Sequence, residues 1–158
     1  MPSQPDEPNR FNKTLQDYRR SYHSQCLFQN APPVETLHFH FTDDGILKGE
    51  FVCSEEHQGY DRIVHGGIIA AVIDASMAQC CMGHGIAAYT AELSIRYRAP
   101  IKILTPTTLE TRIVGNAMGV LFSLQCRIKQ ETHDCADATG RFFKMTSHMG
   151  QNERRNGA

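Results

Sequence analysis

The chain has 158 residues, 41% apolar and 21% charged, the size and balance of one globular domain that needs neither disulfide nor metal to hold a core. Its 16 Lys and Arg against 17 Asp and Glu leave a net charge of −1, which argues against nucleic acid or an anionic membrane as a general partner. No apolar run reaches the roughly 18–20 residues of a membrane span, and Met1–Arg10 lacks the basic flank and apolar stretch of a secretory signal, so a cytoplasmic protein is expected.

Met1–Arg10 is polar, carries Pro2, Pro5 and Pro8, and has no period, so it is expected to lack structure. Phe11–Cys26 reads as a short helix with Leu15, Tyr18 and Tyr22 at helical spacing, closed by Ala31-Pro32-Pro33. The period then changes to two. In Val34–Phe41, Leu37, Phe39 and Phe41 alternate with Thr36, His38 and His40, and Asp43-Asp44-Gly45 is a hairpin signal leading to a second strand, Ile46–Cys53. A polar loop, Ser54–Val64, leads into His65-Gly66-Gly67 and a helix over Ile68–Met82, stopped by Gly83 or Gly85. Four strands follow: Tyr89–Tyr97, Thr107–Val114, Gly119–Lys129 and Cys135–Met145. The short turns between them predict antiparallel pairing of sequence neighbours. The layout is α+β, with one long helix and one sheet of about six strands. Residues 1–33 form a polar N-terminal segment with a short helix, 34–147 the domain, and 148–158 a flexible tail.

The long helix is apolar on nearly every side, so it should be buried nearly all round, inside a curved sheet. Asp74 breaks that rule. Its stripe holds Gly67, Ala70, Ala71, Met77, Ala78 and Cys81, with no Lys, Arg or His three or four residues away. A carboxylate placed there either accepts bonds from groups elsewhere in the assembly or is kept for chemistry. At the start of the same helix, the first N–H groups have no internal partners. Gly66 and Gly67 can therefore donate to an oxygen gaining negative charge, as in an oxyanion hole; alone, a Gly-Gly pair reads as a tight loop-to-helix junction.

Six cysteines, Cys26, Cys53, Cys80, Cys81, Cys126 and Cys135, form no Cys-x-x-Cys pair and read as reduced thiols. His38 and His40 share a strand face without an identifiable third ligand, so no metal site or cofactor is expected. Asp43-Asp44 and Glu55-Glu56 read as solvated loop charges.

The run Gly59-Tyr60-Asp61-Arg62-Ile63-Val64-His65-Gly66-Gly67 followed by six apolar residues and Asp74 resembles the hot-dog-fold acyl-CoA thioesterases of the PaaI-like group. Thr90-Ala91-Glu92-Leu93-Ser94-Ile95-Arg96-Tyr97-Arg98-Ala99-Pro100 is similar to their strand after the helix, and Ala138-Thr139-Gly140-Arg141 to their last strand. The resemblance spans Val34–Ser147. It implies a helix wrapped by an antiparallel sheet, and a homo-oligomer, dimer or tetramer, whose active sites are shared between subunits. It implies hydrolysis of an acyl-CoA thioester, with Asp74 as general base or nucleophile and the Gly66 N–H, beside Gly67, as oxyanion donor. His65 would shape the helix start and Thr90 supply a hydroxyl near the site. Where many members carry Asn or Gln, this chain has Gly59, and the neighbouring Gln58 and His57 are the candidates to replace it. Arg98, Lys102 and Lys144 are the candidates for the phosphates of coenzyme A. The rival reading is a non-catalytic acyl-CoA-binding or regulatory module on the same fold. Hot-dog dehydratases rank lower, because the chain has neither Asp-x-Asn-x-x-His nor His-Phe-Pro.

Overall fold

A computed structural model describes residues 9–146. Two N-terminal helices, α1 (Arg10–Tyr22) and α2 (Leu27–Asn30), precede strands β1 (His38–Phe41) and β2 (Leu47–Phe51). The long helix α3 (Gly66–Gly83) follows, then β3 (Ala88–Tyr97), β4 (Thr107–Ala117), β5 (Leu121–Gln130) and β6 (His133–Lys144). The six strands form one antiparallel sheet in the order β1-β2-β4-β5-β6-β3. This is the hot-dog architecture, α+β with the sheet around α3. The expected tail 148–158 and most of Met1–Arg10 lie outside the described residues.

The strand periods place Leu47, Phe51, Leu109, Leu124, Ile128 and Phe142 on the face toward α3, where Ile69, Val72, Ile73, Met77 and Cys80 meet them, all essentially without exposure. Each such side chain contributes about 1.5–3 kcal/mol by leaving water. The approach is close enough to require glycine: a Cβ on Gly140 would overlap Met77 Sδ, and one on Gly83 would land inside the Phe41 ring. By length and mean hydropathy α3 also passes for a membrane span, contrary to the expectation that no stretch would. Its apolar surface is instead taken up by the fold, with 61% of the stretch buried.

Helix termination falls to Gly85 rather than Gly83. Gly85 has φ +75°, its N–H donates to Met82 O, and the Ile86 N–H donates to Cys81 O, the hydrogen-bond pair of a Schellman motif. Helix α1 is shorter than its apolar spacing predicts. Phe11 and Leu15 are buried, while Tyr22 is exposed and ends the helix. This helix packs on α3, with Tyr18 donating to Gly85 O at 2.6 Å.

Two expectations about β3 need correction. It does not pair with its sequence neighbour β4; it pairs with β6 and forms an edge of the sheet. The connection from Arg98 to Pro106 instead crosses beside the loop before α3, where Val64 N–H donates to Ile101 O at 2.8 Å and Ile63 bridges Lys102. Nor does β3 alternate strictly: its register against β6 slips between Thr90 and Glu92. An extra residue in one strand shifts the parity of everything beyond it.

Candidate active site

The N-terminus of α3 is built by its own N-cap. His65 Nδ1 accepts from Gly67 N at 2.9 Å, and the His65 carbonyl accepts from Ile68 and Ile69 N. The Gly66 N–H has no acceptor among the described residues. The two glycines therefore differ: Gly67 is capped within its own turn, and Gly66 keeps a donor pointing out of the helix start. Tyr97, at the end of β3, donates its hydroxyl to Gly66 O at 2.6 Å. Burial pushes the Tyr97 phenol above its ordinary value, so it holds its proton at neutral pH.

A cavity of about 360 Å³ opens beside this turn, lined by Tyr60, Ile63, Val64, Gly66, Tyr97 and the expected phosphate-binding candidate Arg98, among others. Asp74 and Thr90 are not among its lining residues. Asp74 is half-buried on a stripe with Ala70, Ala71 and Ala78, which are also only half-buried. Thr90 donates to Asp74 Oδ1 at 2.6 Å. Thr90 and Tyr97, an odd number of residues apart, both reach α3 because the irregularity at Ala91 turns Thr90 onto the inner face. Strict alternation would have pointed Thr90 outward.

The loop before α3 holds itself together. His57 Nδ1 accepts from Ser54 N at 2.9 Å, so its Nε2 carries the proton and donates to Pro33 O. Both ring nitrogens are occupied, which leaves His57 nothing to offer a ligand. Gln58 Oε1 accepts from Arg62 N at 3.0 Å, closing the turn in which Arg62 takes φ +61°. A Cβ on Gly59 would lie 3.2 Å from His65 Cδ2 and 3.3 Å from His65 Cα, so a side chain here would press on the residue that caps α3.

The three basic candidates separate. Arg98 pairs with Asp137, which also pairs with Arg127 at 3.2 Å. The Arg98 hydrogen bond, opposed by some desolvation and helped by Arg127, holds the Asp137 carboxyl below the usual carboxylate range. Lys102 is exposed next to Ile63 at the α3 N-terminal end, with no ion pair among the described residues. Lys144 pairs with Ala88, at the far end of β3 from Tyr97, about 30 Å away for a strand of that length. One chain thus brings together His65, Gly66, Gly67 and Tyr97, with Arg98 in the wall of the same cavity, and separately Asp74 and Thr90; Lys144 lies at the Thr90 end of β3, two residues along β6 from the partner of Thr90.

The cysteines are free, and all but Cys26 are buried. Burial pushes Cys53 up to about 11 and Cys81 up to about 12, so neither is a thiolate at neutral pH. Among the described residues no three His, Cys, Asp or Glu side chains converge as metal ligands.

Residues 62–135 match the family described as Thioesterase superfamily. The chain is 33% identical over 91 residues to acyl-coenzyme A thioesterase THEM4 of Rattus norvegicus, and 32% identical over the same length to that of Mus musculus, covering 56% of this chain in each case. It spans 38% of the length of those relatives. Among solved structures, the PaaI protein from the phenylacetic acid degradation operon of E. coli superposes with a TM-score of 0.72 at 15% identity, over 85% of this chain and 95% of that one. A Streptococcus mutans protein solved bound to acetyl CoA superposes with a TM-score of 0.65 at 19% identity, over 70% and 90%. At such identities the structural likeness establishes the hot-dog fold alone.

Proposed function

We propose that this chain hydrolyses an acyl-CoA thioester to the free acid and coenzyme A. Asp74 takes a proton from water, and the resulting hydroxide attacks the thioester carbonyl carbon. The Gly66 N–H donates to the carbonyl oxygen as it becomes an oxyanion, and collapse of that intermediate breaks the C–S bond and releases the thiolate. The observation that carries the reading is a carboxylate on the apolar helix, oriented by Thr90, together with a partnerless amide at the start of the same helix. The matches to thioesterases support it, and the solved complex of a similar fold with acetyl CoA supports the substrate class.

The same geometry argues for a site shared between two copies. Eight residues of helix set Gly66 and Asp74 about 12 Å apart along the axis. A base acting through one water and an oxyanion donor must both reach a single thioester group, each bond spanning only about 3 Å. The Gly66 of one copy and the Asp74 of another would therefore complete each site. Strand β3 has an unpaired edge beside both groups, which suits a second copy. Lys102 is the cation we assign to the mouth, toward the phosphates of coenzyme A.

Thiol release measured over a panel of acyl-CoA substrates tests the activity. Asp74→Asn is expected to remain a folded oligomer and to lose about 100-fold or more in kcat, the scale of general-base catalysis. Full turnover in that variant would overturn the role of Asp74. Tight binding of acyl-CoA by the unaltered chain, without thiol release, would instead support the non-catalytic module. The shared site is tested by mixing. Gly66→Pro removes only the N–H at the first helical position, where proline is well tolerated. Co-refolded with Asp74→Asn, it is expected to regain about a quarter of wild-type activity, because half the dimers are mixed and each mixed dimer has one intact site. No recovery would mean that both groups act within one chain.

A further inference from the structure

A second cavity lies on a different flank of α3 from Asp74. It has a volume of about 330 Å³ and is walled by Gln16 and Arg19 of α1, Phe28 and Gln29 of α2, Phe39 of β1 and Gln79 of α3. Gln79 follows Asp74 by five residues, which turns it about 140° around the helix. It is 4% exposed, an amide on the core helix of a sheet-wrapped domain. Its Oε1 accepts from Arg19 Nη2, and its amide nitrogen meets no acceptor among the described residues. The Arg19 Nε is closed off from solvent and has no partner among the described residues. No carboxylate lies within ion-pair reach of the guanidinium among the described residues. The neighbouring His23 also has an unpartnered buried Nδ1, and burial followed by the Arg19 charge disfavours its protonation.

A cation drawn out of water with spare donors and no counter-charge is an incomplete arrangement. We propose that this cavity binds a small carboxylate, held by the Arg19 guanidinium and the Gln79 amide. A planar carboxylate matches the guanidinium fork. The charge count also favours a monoanion. Arg19 is the one Arg or Lys in the lining, Gln16, Gln29 and Gln79 are neutral, and His38 is the one further titratable group there, so a dianionic phosphate would meet a single permanent cation. Bound there, the carboxylate would join α1 to α3 and complete the attachment of the N-terminal helix. The site does not depend on the activity proposed above, because neither Asp74 nor Gly66 lines it.

The test is thermal unfolding of the full chain at pH 7 and constant ionic strength, titrated with acetate and propionate, with chloride and phosphate as the comparison anions. The expected result is a saturable rise in melting temperature with the carboxylates that exceeds the response to chloride or phosphate. Arg19→Met should weaken the apparent affinity roughly tenfold or more. Without carboxylate, Arg19→Met should melt at or above the wild-type temperature, because a half-buried charge with no counter-charge among the described residues has gone. A carboxylate response no larger than that of chloride, a larger one with phosphate, or a full response in Arg19→Met would each overturn the proposal. Should Arg19→Met fail to fold, saturation-transfer NMR of acetate with the wild-type chain and with Gln79→Met decides the question: signal lost in Gln79→Met supports the site, and equal signal overturns it.

Discussion

Thr90 and Tyr97 show how side chains on one strand fix the two groups to which the proposed mechanism gives roles. Thr90 donates to one carboxylate oxygen of Asp74, while Tyr97 donates to the carbonyl of Gly66 and so fixes the peptide following its N–H. Tyr97→Phe removes one neutral hydrogen bond, about 0.5–1.5 kcal/mol. If the bond orients the amide for the transition state, kcat should fall several-fold with KM nearly constant, as steady-state kinetics would read. An equal loss in stability with unchanged kcat would assign the hydroxyl to folding alone. Asp74 was legible in the sequence as a lone charge on an apolar stripe, and His65-Gly66-Gly67 as a helix start, because both follow from the 3.6-residue period. The Thr90 contact was not legible from alternation, since one extra residue at Ala91 reverses its direction. Tyr97 was hidden because a tyrosine ending an apolar alternation reads as packing. His57 looked available only because nothing in the local sequence reveals that Pro33, 24 residues earlier, takes its second ring nitrogen.

At the scale of elements, the helix and every strand were readable from periodicity, but the position of β3 was not. Turn residues indicate where a strand ends, not which strand it joins, and the crossover from Arg98 to Pro106 is held by contacts to a loop some 40 residues earlier in the chain. The contact of α3 with β1 gives a sharp test. Gly83→Ala would gain up to about 1 kcal/mol of helix propensity, yet the new methyl meets the buried Phe41 ring. Overpacking of that kind costs about 1–3 kcal/mol, so chemical denaturation should show a net loss of stability. On the outer face, Asp137 joins β6 to Arg98 and Arg127. Its folded carboxyl lies below its unfolded value, so its contribution is full above about pH 4 and is lost as pH falls through the depressed value. Melting temperature followed from pH 7 to pH 2 should therefore fall more steeply for the wild type than for Asp137→Asn.

Across the whole molecule, a long edge strand and a half-open stripe of small residues lie side by side, while the rest of α3 beyond its first turn is enclosed. The N-terminal helix covers part of α3 and leaves that stripe open. The two turns of helix between Gly66 and Asp74 carry a consequence for behaviour in dilute solution. On the proposed reading, in which each reaction centre takes Gly66 from one chain and Asp74 from another, an isolated chain would be chemically silent without having unfolded. Specific activity should then decline on dilution before any spectroscopic sign of unfolding, and it should return on concentration, so that encounter between copies regulates turnover.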